Sequence, residues 1–462
     1  MRVPEAAPGR PSGPLPRRPF VTAFLVLAIV MCVKAFYNLM QGGPADPAHG
    51  PTNASLQGNL VYAALWLSLY LCSAAIVGWQ VWRQGLPYRL LGLLAVGAYV
   101  VASASWAESW AGSIAPATML LLDVVVAAAL SMTVHPARFL RVVAIINVVL
   151  MVVSLVLVVV APSLAISDPT RPGIFMSGQM LGAYDTKGTL GLSACVSIVV
   201  LLFGPFRADT LRIRLPCILV LTVGLLLANS AGSLAATAVA VSPLLVARRF
   251  PALQMPVMGG VTLLAVLWSI LLPFINIGAV TELLGRSSDL TGRGTFWPMA
   301  PGFIADRPWF GFGYVAFFRP EPFARGWEVW NREQWFFTPE FHNAFLDILI
   351  GLGAVGAAAY VAILVSAATV VANHTLEARC RLVMNAVLVI YVMGGATEWD
   401  LLSHNSFGTL FLFYCCLVAG RSYGAMPRAA PRPVPGLPQD GQARPGSVRG
   451  PPAVRAATVQ AG

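Results

Sequence analysis

Apolar residues run through this chain in long stretches, not in the alternating or 3.6-residue patterns of soluble elements. The stretches fall near residues 20–40, 60–82, 89–106, 114–134, 140–162, 189–206, 213–229, 232–247, 256–280, 342–372, 382–397 and 404–420. A helix needs roughly 20 apolar residues to span a bilayer. The pattern therefore predicts an all-α, polytopic membrane protein of about 12 transmembrane helices. The least certain boundary lies within 213–247, where the turn at Asn229–Ser233 is very short.

Composition supports this. The chain is 57% hydrophobic and only 11% charged, whereas a soluble domain carries roughly a quarter charged residues. A net charge of +11 would suit nucleic acid, but its distribution argues against such a partner. Arginines sit in the N-terminal segment (Arg2, Arg10, Arg17, Arg18) and then in alternate loops. Those loops hold Arg83 with Arg89, Arg138 with Arg141, Arg207 with Arg212 and Arg214, Arg248 with Arg249, and Arg379 with Arg381. Six more run from Arg421 to Arg455, while the short intervening loops carry Asp46, Glu108, Glu398 and Asp400. This is the positive-inside pattern, and it predicts both termini in the cytoplasm. The expected organisation is a cytoplasmic disordered tail over 1–19, a membrane domain over 20–424 and a second disordered tail over 425–462. The first apolar run reads as an anchor, since no small-residue cleavage site follows it. None of the seven cysteines falls in an outer loop and no CxxC spacing occurs, so no disulfide framework, metal or cofactor is expected.

Two outer segments exceed ordinary turn length, about 161–188 and about 281–341, and long ordered loops are usually functional. The second holds many aromatics, Trp297, Trp309, Phe310, Phe312 and Tyr314 among them, interleaved with Arg286, Arg293, Arg307, Arg319, Arg325 and Arg332. Such aromatics serve as an interfacial belt, or as a platform for sugar beside arginines that bond phosphate. Pro298 and Pro301 should interrupt any helix after Arg293.

The string TGRGTFWPMAPGFIADRPWFGFGYVAFF (Thr291 to Phe318) resembles the signature of the O-antigen ligase and polysaccharide polymerase superfamily. HNAFLDILIGLGAVG (His342 to Gly356) resembles that family's next block, and SAGSLAA (Ser230 to Ala236) and GAYDTKGTLG (Gly182 to Gly191) resemble two earlier ones. The order fits over roughly residues 170–415, and the ExoQ-type exopolysaccharide polymerases are the most similar subgroup. Thr186-Lys187-Gly188 stands where the family usually has His-Lys-Asn. The resemblance implies a GT-C-like membrane glycosyltransferase working without metal at the outer face of the bacterial inner membrane. Its donor would be a glycan on a polyprenyl diphosphate, its acceptor a glycan or a lipid-A-type molecule. Membrane lipids and polysaccharide export or assembly proteins would be its surroundings.

The residues themselves point the same way. Breaking a sugar–diphosphate bond requires the departing negative charge to be stabilised, and arginines are the available groups. Arg293 is the first candidate, with Arg307, Arg171 and Lys187 as phosphate contacts. His342 is the candidate base for the acceptor hydroxyl, with His404 as the other histidine near the outer face. Asp347 lies five residues past His342, so on a regular helix the two point to different sides. Whatever orients His342 must come from another segment or the backbone. Asn343 and Asp347 share a face; Asn343, Asp347 and Glu398 are candidate substrate contacts, with Asn343 also able to position His342 and Asp347 to hold Asn343 or line a polar cavity. Lys34 and Asp123 fall inside predicted spans, where charges are functional candidates, and they would be able to pair. Competing readings are a secondary transporter of a lipid-linked or anionic substrate, and a structural component of a polysaccharide assembly complex. Transporters tend to show repeats, and none is evident here.

The alternation of loop charge generates the first expected outcome. Cysteines introduced near Trp335 should react with an impermeant thiol reagent added outside the cell, and cysteines near Arg432 should not. The reverse labelling would invert the orientation.

Overall fold

The computed structural model describes residues 18–40, 60–166, 178–206, 210–275, 293–318, 325–326, 328–329, 340–398 and 400–421. The expected tails lie outside these residues but for Arg18 and Pro19, and so does Arg171. Among the described residues the chain is helical, with one isolated antiparallel bridge between Ile166 and Met180.

Among the described residues, twelve longer helices overlap the expected apolar stretches. They are α1 (Arg18–Cys32), α2 (Leu60–Gln84), α3 (Tyr88–Ala102), α4 (Trp110–Thr133), α5 (Pro136–Val160), α6 (Lys187–Phe203), α7 (Leu211–Ala228), α8 (Ala231–Arg249), α9 (Gln254–Leu271), α10 (Ala344–Ala368), α11 (Ala378–Gly394) and α12 (Phe407–Ala419). Eight are long and apolar enough to cross a membrane; the exceptions are α1, α6, α11 and α12. Three of those four are shielded by the others. α12 is buried continuously from Phe407 to Val418, and α6 and α11 are buried along most of their length. A helix apolar all round belongs in the middle of a bundle. α11 packs on α6, α8 and α9, and α12 packs on α4 and α10.

Consecutive helices run up and down, so the even-numbered helices begin at one end of the bundle. Side-chain caps mark that end. Ser109 Oγ accepts from Gly112 N–H at 3.1 Å, Thr186 Oγ1 from Thr189 N–H at 3.0 Å, Asn343 Oδ1 from Leu346 N–H at 2.9 Å and Ser406 Oγ from Thr409 N–H at 3.2 Å. Each satisfies a first-turn donor that has no partner within the helix.

Over this end sits a second, smaller core built by the segment between α9 and α10. Phe296, Trp297, Phe303, Phe312, Phe317 and Phe318 pack with Phe341 and with Ile350 of α10. These side chains are buried against one another, with the phenylalanine rings meeting edge-on or tilted, so they do not form the exposed sugar platform considered above; of the loop's described aromatics, Trp309 and Phe310 are the exposed ones. Pro298 and Pro301 do break the segment, into a turn of α-helix (Arg293–Phe296), a 3₁₀ turn (Trp297–Met299) and a short helix (Ala300–Asp306).

The loop is locked to the bundle through a break in α10. Gly353 has φ 66° and ψ −168° inside that helix. The backbone of the RPWFGFG segment fills the gap. Phe312 N–H donates to Ile350 O at 2.9 Å, Gly313 N–H to Gly351 O at 2.8 Å, and Ala354 N–H to Pro308 O at 2.8 Å. A Cβ at Gly353 would lie 2.3 Å from the Trp309 carbonyl carbon, and one at Gly311 would lie 2.4 Å from Ile350 O. Both glycines have positive φ, at 66° and 65°. Gly353→Val should therefore lower stability by about 3 kcal/mol or more, combining backbone strain with a lost docking surface. Gly260→Ala, with nothing within 4 Å of its Cβ, should leave the thermal midpoint unchanged or slightly higher. Equal midpoints for the two variants would remove the interlock from the fold's requirements.

Candidate functional site

The site begins with the start of α10. Asn343 is fully buried, and every polar atom of its side chain is used. Besides the cap, Nδ2 donates to Ser269 O and Ala396 O, both at 3.1 Å. Asp347 reaches back one turn, accepting from Phe341 N–H at 2.8 Å and from Asn343 N–H at 3.3 Å. Asn343 and Asp347, expected to touch substrate, are thus placed as the clamp that holds the backbone on both sides of His342. His342 itself has φ +53°, a strained conformation for a side chain with a Cβ. The clamp holds the backbone on both sides of it.

The imidazole is turned toward two carboxylates. His342 Nδ1 lies 2.8 Å from Glu340 Oε1 and 3.6 Å from Glu398 Oε2. The approach is an ion-pair contact without aligned hydrogen-bond geometry. Burial by itself pulls the imidazole's pKa down, but Glu340, aided by Glu398, outweighs it and holds the group up at about 9. Glu398 moves the opposite way. Burial works to raise its pKa, yet His342, Arg293 and Lys187 together bring it below the usual carboxylate value.

Arg293 arrives from the outer loop. Its Nη2 donates to Thr397 O at 2.5 Å and lies 3.4 Å from Glu398 Oε1. Lys187 opens α6, and a Cβ on its neighbour Gly188 would lie 3.6 Å from the Glu398 carboxyl carbon. A Cβ on Gly232 of α8 would lie 3.4 Å from Thr397 Oγ1, and one on Gly191 would lie 2.6 Å from Ser233 Oγ. The four sequence blocks therefore meet around Thr397–Glu398, the short segment after α11.

Other candidates lie apart from this cluster. Arg307 pairs with Glu108 at 3.5 Å and stands over the Phe312 ring at 4.8 Å. His404 is tied to Tyr314, whose hydroxyl accepts from its backbone N–H at 2.9 Å. Lys34 does not pair with Asp123 as expected. It lies just past α1, 3.3 Å from Asp185 Oδ2. Asp123 is buried in α4 and accepts from Asn405 N–H at 2.6 Å. Between these groups burial holds Asp400 up at about 7, although Lys34 works to lower it.

Glu340 escapes the sequence reading because the search for a carboxylate ran down the helix, toward Asp347. Glu340 lies two residues before His342 in non-helical chain, a spacing that puts side chains on one side. Glu340, His342 and Glu398 bring one ligand atom each within 4.8 Å of one another, a group that could hold a metal ion. The spacing rules used on the sequence do not find it, since Glu398 follows another pair of helices.

The molecule is a multi-pass, all-α membrane protein with an ionised site at one end of its bundle. Residues 216–361 of the 462 match the family model described as O-antigen ligase, so over this stretch the chain is similar to that family. No curated protein matches the chain significantly. The matched segment contains Arg293, Glu340 and His342; Lys187 and Glu398 lie outside it.

Glu340→Gln should lower the His342 pKa from about 9, read by NMR titration of the histidine ring. A raised folded-state pKa stabilises fully below the unfolded value near 6.5, and the contribution disappears as pH rises through about 9. The variant should lose this alkaline transition in thermal stability. An unchanged titration would break the pairing.

Proposed function

We propose that the protein transfers a glycan from a polyprenyl-diphosphate carrier to a sugar hydroxyl, polymerising or ligating a surface polysaccharide at the outer face of the inner membrane. The observation that supports this best is the meeting of Arg293, Lys187, His342 and Glu398 at one end of an apolar bundle. There a polyprenyl chain can stay in lipid while its diphosphate reaches cations. The acceptor oxygen attacks the anomeric carbon, the bond from that carbon to the phosphate oxygen breaks, and the diphosphate leaves with the electron pair. Arg293 stabilises that charge through a guanidinium fork, and Lys187 adds a second cation. Glu398 already pairs with Arg293, so it marks an anion seat that the diphosphate takes over.

The acceptor's proton goes to His342 as general base, oriented by Glu340. Because the imidazole is held at about 9, only about 1% of molecules are competent at pH 7. kcat/KM should therefore rise about tenfold per pH unit from 7 and level off near 9. A flat profile over that range excludes His342 as the base.

Two substitutions separate the roles. Arg293→Lys keeps the charge but loses the fork, and should cost about 10²–10³-fold in turnover together with donor affinity. His342→Ala should cost about 10²–10⁴-fold in turnover and little donor affinity. Both are measured on purified, folded protein with lipid-linked donor, without an ion gradient. Near wild-type turnover in folded His342→Ala removes the base assignment. Turnover should also survive chelation, with Arg293 supplying the positive charge beside Glu398. Loss with EDTA and recovery with Mn²⁺ would instead make Glu340, His342 and Glu398 a metal centre.

A further inference from the structure

We propose that a cavity at the other end of the bundle binds the phosphate of an anionic phospholipid. The cavity has a volume of about 290 Å³ and opens where α2 turns into α3, against the last turns of α4 and α12. Gln84, Tyr88, Arg89, Ser131 and Arg421 line its polar side, and Leu417 lies in its apolar side.

Its two guanidiniums are each anchored by one edge and open at the other. Arg89 Nη1 donates to Cys416 O at 3.0 Å and to Thr369 Oγ1 at 3.2 Å, and its Nε to Tyr88 Oη at 3.0 Å. Arg421 Nη1 donates to Ser131 O at 2.8 Å. Arg89 Nη2 and Arg421 Nε and Nη2 make no hydrogen bond among the described residues. Neither guanidinium forms an ion pair among the described residues. Their acceptors are neutral carbonyls and hydroxyls, so both positive charges persist at the cavity. α3 starts at the same place with no side-chain cap, which adds to the positive potential.

The rim distinguishes a lipid from a free anion. Tyr88 is 74% exposed and Leu86 45% exposed, and both line the cavity. Amphipathic rings of this kind sit at the headgroup level of a bilayer. A phosphodiester fits the open guanidinium edges, and its acyl chains can follow the apolar rim into the membrane. Basic pockets between membrane helices bind headgroups in this way. Inorganic phosphate would use the arginines but gain nothing from the rim. The two arginines also cap helix ends, and structural capping alone is the outcome that would overturn the site.

Full-length protein in a maltoside detergent is exposed to equal amounts of phosphatidylglycerol and phosphatidylcholine, and retained lipid is counted by native mass spectrometry. The wild type should retain phosphatidylglycerol in preference. Arg421→Gln should cut that retention by about tenfold, as for loss of one charge-assisted fork. Met132→Trp, which fills the cavity and leaves both arginines, should do the same if Arg421→Gln does not fold. Arg248→Gln, whose arginine does not line the cavity, should change nothing. Equal retention of the two lipids, or undiminished retention in a folded Arg421→Gln or Met132→Trp protein, overturns the site. A thermal shift with inorganic phosphate and none with phosphatidylglycerol overturns the lipid assignment.

Discussion

The break in α10 at Gly353 is the constraint on which the outer half of the molecule depends. A helix interrupted near a membrane leaves carbonyls and amides without partners, and such groups are tolerated only where protein satisfies them. Here the backbone of residues 308–313 does so, pairing with Ile350, Gly351 and Ala354. The exchange requires backbone atoms to approach within ordinary contact of one another. That is why Gly311 and Gly353 have no room for a side chain. Through this joint the aromatic outer loop becomes an ordered second core, and Arg293, upstream on the same loop, gains a defined position over the bundle.

At that position the charges are arranged so that each explains the state of another. Glu398 has a carboxylate oxygen toward Arg293 and the other toward His342. The cations keep it ionised despite burial, and it helps Glu340 keep the imidazole protonated. Partly buried ions are held most readily as mutually compensating groups. The resting site therefore holds a nearly balanced set of charges, and an incoming diphosphate would compete with Glu398 for the same cations. The clamp of Asn343 and Asp347 serves the same end from beneath, by holding the backbone of His342 in a conformation it would not otherwise keep.

Sequence by itself determined the all-α, multi-pass architecture, because in lipid a segment must satisfy its own backbone and therefore announces itself as a continuous apolar stretch. It also determined the interruption at Pro298 and Pro301, since a proline lacks the amide a helix needs. The order of the four blocks was legible too, with Arg293, Lys187, His342 and Glu398 named as candidates. Only the tertiary structure decided what these residues do to one another. Glu398 and His342 are separated by α10 and α11, so their contact depends on how those helices pack. Asn343 and Asp347 each allowed a substrate contact or a role in holding the chain, and the packing shows Asn343 capping α10 while Asp347 holds the Asn343 backbone. The loop aromatics were read as a surface, and packing against one another made most of those described a core. Lys34 lies beside Asp185 and not Asp123 because the turn after α1 meets the start of α6. Periodicity along a chain records what each segment needs from its solvent; it holds no record of which distant charge will share its cavity.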